Sequence, residues 1–376
     1  MKKLAFIIRL LQKDKFHGGG EKLFFNLIKS FCEENNQIDI YCSKSDIENI
    51  EGINKIIVVD EYYDHLKPQT MEKFYAKVKE LIKNENYDAV ISENITPPVD
   101  ITFLQGHSLL NRLKRDKNPL ETFFYNFRKV KKERMKFHKK WFSEGFRKIF
   151  VVSNVLKRDI IENYGISEDK ISVIYPGVDI PERTEIATSG LRPSLNDDII
   201  TFGLSAPGFK IKGGFIFLKA LGLLKKKGYD FKAKIIYPKY HKNLGVKLLV
   251  KLLNIEKNIE FLPYQENIQE FYRSIDCLVA PSIEDTFNLA VLEAMINYRP
   301  CIVSTNAGAS EIIEDGKNGF VFEIKNNPEK NLAEKMILFI ESTDKNKNIC
   351  SNAFETAKYY SWQRTFENFV SELDQI

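Results

Sequence analysis

The feature that most constrains the fold is the regular alternation of short apolar segments with longer amphipathic ones. The first apolar segment, Lys3 to Leu11, leads through glycines into a helical pattern from Lys22 to Cys32. The later segments interpreted as strands are 38–42, 55–59, 89–92, 101–104, 149–154, 199–203, 232–237, 259–262, 276–280 and 300–304. Strands that alternate with helices in this way predict parallel, doubly wound α/β sheets.

The length of the chain sets the number of domains. A chain of 376 residues with 43% hydrophobic residues is long enough to form two cores rather than one. The polar, proline-bearing stretch 181–198 has the composition of an interdomain hinge. The sequence therefore predicts an N-terminal α/β domain over 1–180 and a C-terminal one over 181–356.

Charge, cysteine content and the first residues argue against several classes of protein. The net charge is +5, too small an excess to indicate a nucleic-acid partner. The first apolar run ends at Arg9, which is too early for a signal peptide or a membrane span. Five cysteines lack the spacing of metal or disulfide sites, and we interpret them as reduced core residues of a cytosolic protein: Cys32, Cys42, Cys277, Cys301 and Cys350.

The stretch 279–295 combines the end of a strand, a polar loop and the start of a helix. The strand ends at Ala280, and the helix begins near Leu289. A helix N-terminus offers unpaired amides and the positive end of a dipole, which suit a phosphate. Asp285 in the loop and Glu293 in an otherwise apolar helix can meet one ligand from two directions. The alternative is a surface acid beside a helix acid that caps its own N-terminus.

The order of residues in and after this stretch resembles the signature of a known family. The residues that carry it are Pro281-Ser282, Asp285, Phe287, Glu293-Ala294-Met295 and Gly308-Ala309-Ser310-Glu311-Ile312-Ile313. The chain resembles the retaining glycosyltransferases of family 4, which are GT-B enzymes that use sugar nucleotides. The resemblance implies two Rossmann-like domains facing across a cleft, with a C-terminal helix, 357–376, that returns to the first domain.

The resemblance also implies roles at the donor. Glu293 would hold the ribose hydroxyls, and Asp285 would contact the donor sugar. Lys212 and the amides near Asn288 and Leu289 would neutralise the diphosphate. The family more often has Glu at the first acid and Gly at the position of Asn288, and Asn is the residue that best tolerates a positive φ there.

Two further donor contacts rest on the same resemblance. The family usually has Arg after the glycine of its first C-terminal strand, but here Leu204 follows Gly203. Lys210 is therefore the candidate for the second cation on the diphosphate. Tyr264 lies where family members recognise the nucleotide base through backbone groups.

In the first domain, the resemblance implies ligand contacts for two glycines and one histidine. Gly19 and Gly20 follow the first strand, where close backbone approach to a ligand is needed; a flexible turn is the alternative. His107 follows the strand 101–104, where it would face the reaction centre or, alternatively, have a structural role. The catalytic set predicted in this way is His107, Lys212, Asp285 and Glu293. The predicted donor-binding set is Gly19, Gly20, Lys210, Tyr264, Phe287, Asn288 and Leu289.

Residues 112–148 form the most basic and aromatic stretch of the chain. Their spacing predicts an amphipathic helix or helix pair. Lysines beside aromatic rings suit an anionic membrane leaflet, where each cation contributes ~1 kcal/mol of binding. The main alternative is a solvated helix packed on its own domain. Basic and aromatic residues also suit nucleic acid, but this stretch lies in no recognised nucleic-acid-binding module.

The sequence as a whole predicts a hexosyltransferase. We expect transfer from a nucleoside diphosphate sugar to a glycan or lipid-linked acceptor of the cell envelope, such as lipopolysaccharide or a capsular glycan. No cofactor or metal is expected, since no Asp-x-Asp cluster is present. The protein would be cytoplasmic, with a peripheral place on the inner face of the membrane through 112–148. The alternatives are another GT-B enzyme, an epimerase or phosphorylase, and a non-catalytic sugar-nucleotide-binding subunit.

Overall fold

The computed structural model describes residues 1–12, 19–59, 68–93, 99–106, 129–143, 146–180 and 199–376. The chain forms two compact units. Unit 1 comprises Met1–Tyr175 and Trp362–Ile376, and unit 2 comprises Pro176–Ser361. The hinge predicted over 181–198 lies outside the described residues.

Unit 1 is a parallel sheet with helices on its faces. Its strands are β1 (Lys3–Leu11), β2 (Gln37–Ser45), β3 (Ile53–Val58), β4 (Ala89–Glu93), β5 (Ile101–Leu104), β6 (Lys148–Val151) and β7 (Ile171–Val173). Its first helices are α1 (Gly19–Glu33), α2 (Pro68–Ile82), α3 (Lys129–Ser143) and α4 (Asn154–Tyr164). Within the described residues the strand order is β3-β2-β1-β4-β5-β6-β7, and every neighbouring pair is parallel.

Unit 2 repeats this architecture. Its strands are β8 (Ile200–Ser205), β9 (Phe231–Ile236), β10 (Ile259–Leu262), β11 (Cys277–Ala280), β12 (Cys301–Ser304) and β13 (Phe320–Phe322). Its helices are α5 (Gly214–Lys226), α6 (Leu244–Leu252), α7 (Ile268–Arg273), α8 (Ala290–Met295), α9 (Pro328–Glu341) and α10 (Thr343–Tyr359). The described strands pair in parallel in the order β10-β9-β8-β11-β12-β13. Two doubly wound α/β units were predicted, and both are confirmed.

The strands in the middle of each sheet are apolar on both faces because helices cover both faces. Every residue of β11 and of β12 is buried, which matches their unbroken apolar runs. The strand order reverses between β1 and β4 in unit 1, and between β8 and β11 in unit 2. Ligands of such sheets bind beyond the carboxyl ends of the strands at this reversal.

The first helix begins earlier than its apolar pattern indicates. We predicted a helix from Lys22 after a glycine loop, but α1 begins at Gly19. Gly19 and Gly20 therefore lie in the first turn of α1, because a glycine can take helical angles even though it lowers helix propensity.

The basic and aromatic stretch is described only over 129–143 and 146–148. There α3 buries Phe137, Trp141 and Phe142, and Phe146 packs against the Trp141 ring. Lys136 and Lys139 of the same helix are exposed to solvent. The prediction that aromatic rings of this stretch meet a membrane is therefore wrong for these four rings. They are buried in the core of unit 1 instead. Residues 112–128 lie outside the described residues.

The last helix, α11 (Trp362–Leu373), belongs to unit 1 although unit 2 precedes it in the chain. Phe369 of α11 is fully buried, and its ring centroid lies 5.8 Å from that of Phe31, 5.8 Å from Phe103 and 4.8 Å from Phe150. The helix thus covers one face of the unit 1 sheet. Nowhere in the described ranges is there a helix with the length and apolar character needed to cross a bilayer.

We expect Phe369→Ala to destabilise unit 1 by about 3–5 kcal/mol, because it removes a large buried ring and leaves a cavity. Urea unfolding followed by circular dichroism measures this change. Leu81→Ala, at a 39% exposed position of α2, is the control and should cost less than about 1 kcal/mol. Equal stability of Phe369→Ala and the wild type would show that α11 does not hold unit 1 together.

Candidate functional site

An ion pair joins the two loops at the strand reversal of unit 2. The loop after β8 carries Lys212, and the loop after β11 carries Asp285. Lys212 Nζ lies 2.6 Å from Asp285 Oδ2, with the two side chains 29% and 12% exposed. Because both groups are mostly shielded from water, their attraction is screened less than that of a surface pair. Two residues of the catalytic set predicted from the sequence are therefore in direct contact.

Backbone hydrogen bonds hold Asp285 in place from the neighbouring loop. Its N–H donates to Asn306 O at 3.2 Å, and its carbonyl accepts from Gly308 N at 3.0 Å. The hydroxyl of Ser282, which is fully buried, donates to Asp285 Oδ2 at 3.2 Å. The Ser304 hydroxyl donates in turn to Ser282 O at 2.6 Å. The loop after β11 is thus fixed by the end of β12, which orients the carboxylate.

Gly213 allows the loop after β8 to approach the loop after β11. Its φ is +74°, and a Cβ at this position would lie 1.8 Å from the carbonyl oxygen of Pro281. Nearby, Ile283 N donates to Ile211 O at 2.9 Å. A side chain at position 213 would push the loops apart and separate Lys212 from its partner. The Lys-Gly order that resembles the family therefore has a steric reason here.

Three other predicted donor residues lie in the same loop or beside it. Asn288 has φ +79°, as expected for a residue in the position of a glycine, and its Nδ2 donates to Ser282 Oγ at 3.4 Å. Phe287 is 3% exposed, and its carbonyl accepts from Ala309 N at 2.7 Å. Its ring is therefore part of the core beneath the loop. Leu289 precedes α8, whose first residue is Ala290.

Glu293 has a partner that the sequence did not indicate. The hydroxyl of Tyr272, on α7, donates to Glu293 Oε2 at 2.7 Å. Burial, and then the charge of Glu293, raise the pKa of Tyr272 well above its usual value, so the hydroxyl remains a donor at neutral pH. Glu293 itself is half-buried. A buried tyrosine needs a hydrogen-bond partner, which is the signal that could have led to Tyr272.

Lys210 and Tyr264 lie apart from these contacts. Lys210 is exposed in the loop after β8, where its carbonyl accepts from Gly213 N at 3.2 Å. Tyr264 follows β10, the edge strand of the unit 2 sheet, and is 75% exposed. Neither is part of the Lys212–Asp285 contact, and their donor roles stay predictions.

In unit 1, Gly20 lies against a glutamine at the end of β5. A Cβ on Gly20 would lie 2.0 Å from Gln105 Oε1 and 3.1 Å from Gln105 Cδ. Both amide atoms of Gln105 are buried, and neither has a hydrogen-bond partner among the described residues. A side chain at position 20 would therefore displace the buried amide of Gln105 at the carboxyl edge of this sheet. His107, two residues further on, lies outside the described residues, and its role stays a prediction.

A pocket at the reversal between β1 and β4 contains an acid that the sequence analysis missed. Glu93, the last residue of β4, lines it together with Glu21, Gln12 and apolar residues of β1 and α1. Burial first, and then the charge of Glu21, raise the pKa of Glu93 to about 7, whereas Arg9 opposes the shift. An acid at the carboxyl end of an apolar strand was the available signal.

Across the residues that the structure describes, no three or more His, Cys, Asp or Glu side chains are grouped so as to hold a metal ion. Independence from metals stays a prediction. The five cysteines are free thiols, and all except the half-buried Cys32 are buried.

We expect the stability of unit 1 to fall between pH 4.5 and 7 because of Glu93. Its carboxyl ionises near pH 4.5 in the unfolded chain but near 7 in the folded protein, so folding is favoured below this window and loses that contribution as pH rises through it. Glu93→Gln should therefore be more stable than the wild type at pH 8 by on the order of 1–3 kcal/mol, and equal to it at pH 4. Urea unfolding at both pH values measures the difference. Glu34→Gln, at an exposed position, is the control, and a pH-independent effect of Glu93→Gln would contradict this assignment.

Two family models match the chain. The model described as Glycosyltransferase Family 4 matches residues 17–182. The model described as Glycosyl transferases group 1 matches residues 196–356. Together the two matches account for most of both units.

Curated relatives bear glycosyltransferase names. The uncharacterized glycosyltransferase MJ1178 of Methanocaldococcus jannaschii is 31% identical over 221 residues, which are 58% of this chain and 56% of that protein. A D-inositol 3-phosphate glycosyltransferase of Paenarthrobacter aurescens is 24% identical over 224 residues, which are 55% of this chain and 52% of that protein. The chain thus spans about half the length of these curated relatives.

Solved structures share the fold. WaaG, a glycosyltransferase involved in lipopolysaccharide biosynthesis, is 17% identical with a TM-score of 0.76, over 98% of this chain and 99% of that one. Anabaena HepE, solved in complex with UDP, is 16% identical with a TM-score of 0.70, over all of both chains. At such identities the likeness shows the fold alone. Together with the two family models and the two parallel sheets, it shows that this chain belongs to the family 4 glycosyltransferases of the GT-B fold.

Proposed function

We propose that this protein transfers a hexosyl unit from a nucleoside diphosphate sugar to an acceptor hydroxyl, with retention of the anomeric configuration. The observation that carries the proposal is the Lys212–Asp285 ion pair at the strand reversal of unit 2. This is the edge of such a sheet where nucleotides bind. The printed titles of HepE structures name UDP and UDP-glucose, which supports a nucleoside diphosphate sugar as the class of donor.

The ion pair gives Lys212 a defined position before the donor arrives. A diphosphate that binds beside it would take over the contact with Nζ, and the Asp285 carboxylate would then be available to a hydroxyl of the donor sugar. Because Asp285 is fixed by backbone hydrogen bonds, it does not have to reorganise when its partner changes. Stabilising the departing diphosphate in this way is an electrostatic task for a preorganised cation.

Glu293 suits the recognition of a ribose. One carboxylate oxygen accepts the hydrogen bond of Tyr272, so the side chain is held in one orientation. An ionised carboxylate accepts at both oxygens, and vicinal hydroxyl groups are donors that match it. Tyr272 acts here as a positioning residue. We propose His107 at the reaction centre from the sequence resemblance.

The acceptor proposed for this transfer is a glycan or lipid-linked saccharide of the cell envelope, met at the cytoplasmic face of the membrane. The likeness to WaaG, whose title names lipopolysaccharide biosynthesis, supports this class. Exposed lysines of α3, among them Lys139, supply cations for the phosphates of a lipid or leaflet. The buried rings of α3 leave this surface without an apolar component in its described portion.

We expect calorimetry with a panel of nucleoside diphosphate sugars to find one donor that binds, and Glu293→Ala and Lys212→Ala to weaken it. Loss of Lys212 should lower turnover by ~10² to 10³, since it removes a preorganised contact to the leaving group. Glu334→Ala and Lys227→Ala, at exposed positions of unit 2, are matched controls. Circular dichroism establishes that each variant is folded.

The products separate this function from its alternatives. NMR of the product should show the anomeric configuration of the donor, and inversion would contradict retention. Formation of an epimer without acceptor would identify an epimerase. Donor binding without transfer to any acceptor would identify a binding subunit. Turnover that is unchanged in folded Glu293→Ala and Lys212→Ala would refute the site itself.

The membrane contact of the basic stretch is tested separately. We expect sedimentation with vesicles rich in phosphatidylglycerol to fall when Lys131, Lys132, Lys139 and Lys140 are all replaced by Gln, since each cation near an anionic surface strengthens binding by about 5-fold. Raising the salt concentration should have the same effect on the wild type. Lysines replaced elsewhere in unit 1, Lys29, Lys73, Lys79 and Lys83, provide the control of equal charge. Equal binding of the two variants would leave 112–148 without a membrane role.

A further inference from the structure

Helix α6 of unit 2 carries a row of three exposed leucines. Leu244, Leu248 and Leu252 are 72%, 68% and 82% exposed. Residues four positions apart lie one above the other on a helix, so the three form a continuous apolar strip. No other helix in the described ranges exposes more than one large hydrophobic side chain to a comparable degree. Scattered leucines on a surface are ordinary, but a contiguous strip marks an interaction site.

The fold of α6 does not depend on this strip. The opposite side of the helix buries Val246 and Val250 in the core of unit 2. Its start is capped by Asn243, whose Oδ1 accepts from Val246 N at 3.1 Å. An amphipathic helix with this buried face would be equally well held with polar residues at the three leucine positions. The leucines therefore need an explanation outside the packing of unit 2.

The charged residues of α6 and of the turn before it are all basic. Residues 239–254 contain four lysines and no aspartate or glutamate. By helical geometry Lys247 and Lys251, each three residues after a leucine of the strip, lie along one of its sides. Lys247 Nζ is 5.8 Å from the ring centre of Tyr240, in the turn before the helix. Lys239 and Lys242 in that turn are exposed.

We propose that residues 239–252, the α6 surface, lie on an anionic lipid bilayer. The three leucines would enter the boundary between headgroups and acyl chains, and the lysines would meet the lipid phosphates. Lysine stems can lie along apolar surface while their ammonium groups stay at the headgroups. A helix with an apolar strip beside lysines and no acids is the type that lies in the plane of a membrane interface.

The composition of the surface favours a bilayer over a protein partner. Protein interfaces are enriched in aromatic residues and Arg and depleted in Lys, whereas α6 exposes leucines beside lysines. A second copy of this chain is disfavoured because a two-fold contact would bring the same lysines of both copies together. A lipid leaflet that carries negative charge is complementary to both components of the surface.

Binding of lipid by the α6 surface does not require the proposed sugar transfer. The α6 surface belongs to unit 2, whereas the basic stretch belongs to unit 1. The two membrane contacts must therefore be measured apart. A probe within α6 reports on that helix alone, whatever the rest of the chain does. Sedimentation of variants then measures how much the α6 surface contributes to binding.

The local test uses tryptophan fluorescence in the full chain. With vesicles of phosphatidylglycerol, Leu248→Trp should gain blue-shifted emission, and lipids brominated on their acyl chains should quench it. The emission of the wild type, which has Trp141 and Trp362, is subtracted. Leu338→Trp, at a 46% exposed position of α9 in the same unit, is the matched control and should not respond. An unchanged spectrum of Leu248→Trp with bound vesicles would overturn the proposal.

The second test replaces the strip. Replacing Leu244, Leu248 and Leu252 together by Ser should lower vesicle binding by roughly 10-fold or more, because the apolar contribution to binding scales with the area buried. Replacing Lys242, Lys247 and Lys251 by Gln should lower it by about 5-fold per lysine. The controls are the pair Leu81→Ser with Leu338→Ser, and the set Lys232, Lys325 and Lys330 replaced by Gln.

The background for this second test is the protein whose Lys131, Lys132, Lys139 and Lys140 are already Gln. Three outcomes would overturn the proposal. One is vesicle binding that the serine variant retains in full. Another is equal binding to neutral phosphatidylcholine vesicles, which would remove the role of the lysines. The third is a dimer in ultracentrifugation that the serine variant abolishes, which would identify a second copy as the occupant.

Discussion

Both units depend on one constraint, namely that a parallel sheet has to be covered by helices on its two faces. Strands such as β11 and β12 are consequently buried along their whole length and have no room for chemistry. The charged groups that could meet a ligand therefore lie at the ends of the strands or in the loops that follow them. Lys212 and Asp285 in unit 2 and Glu93 in unit 1 all follow this rule, since each lies at or beyond the carboxyl end of a strand beside the reversal of strand order.

The same constraint determines how the polar groups are held. A charge that is only partly hydrated near the edge of a covered sheet needs a specific partner, or its neutral form is favoured. Asp285 has Lys212, and Glu293 has the Tyr272 hydroxyl. For Glu93, burial and then the charge of Glu21 raise the pKa to about 7, which favours its neutral form. Partners of this kind fix orientation before a ligand arrives, which is the property that electrostatic stabilisation of a leaving group requires.

Helices α3 and α6 have similar compositions, but their apolar residues differ in exposure to solvent. Both combine lysines with large apolar residues at helical spacing. In α3 the apolar residues, among them Trp141, face the core of unit 1, whereas in α6 the row containing Leu248 faces solvent. Periodicity alone identifies an apolar side of a helix but not the body that covers it. In α6, Val246 and Val250 already form the face that packs in the core of unit 2. The leucine row is therefore a second apolar face, which unit 2 does not cover.

The sequence by itself determined the class of the fold, the family and the residues of the unit 2 loops, because these depend on local patterns: strand and helix periods, and a motif with fixed spacing. It also indicated the positive φ of Asn288, which follows from side-chain type. Only the tertiary structure decided that Lys212 contacts Asp285 across 73 positions, that Tyr272 holds Glu293, and which apolar faces remain uncovered. Contacts between distant segments depend on how sheet and helices pack in three dimensions, and a linear pattern does not encode that packing directly.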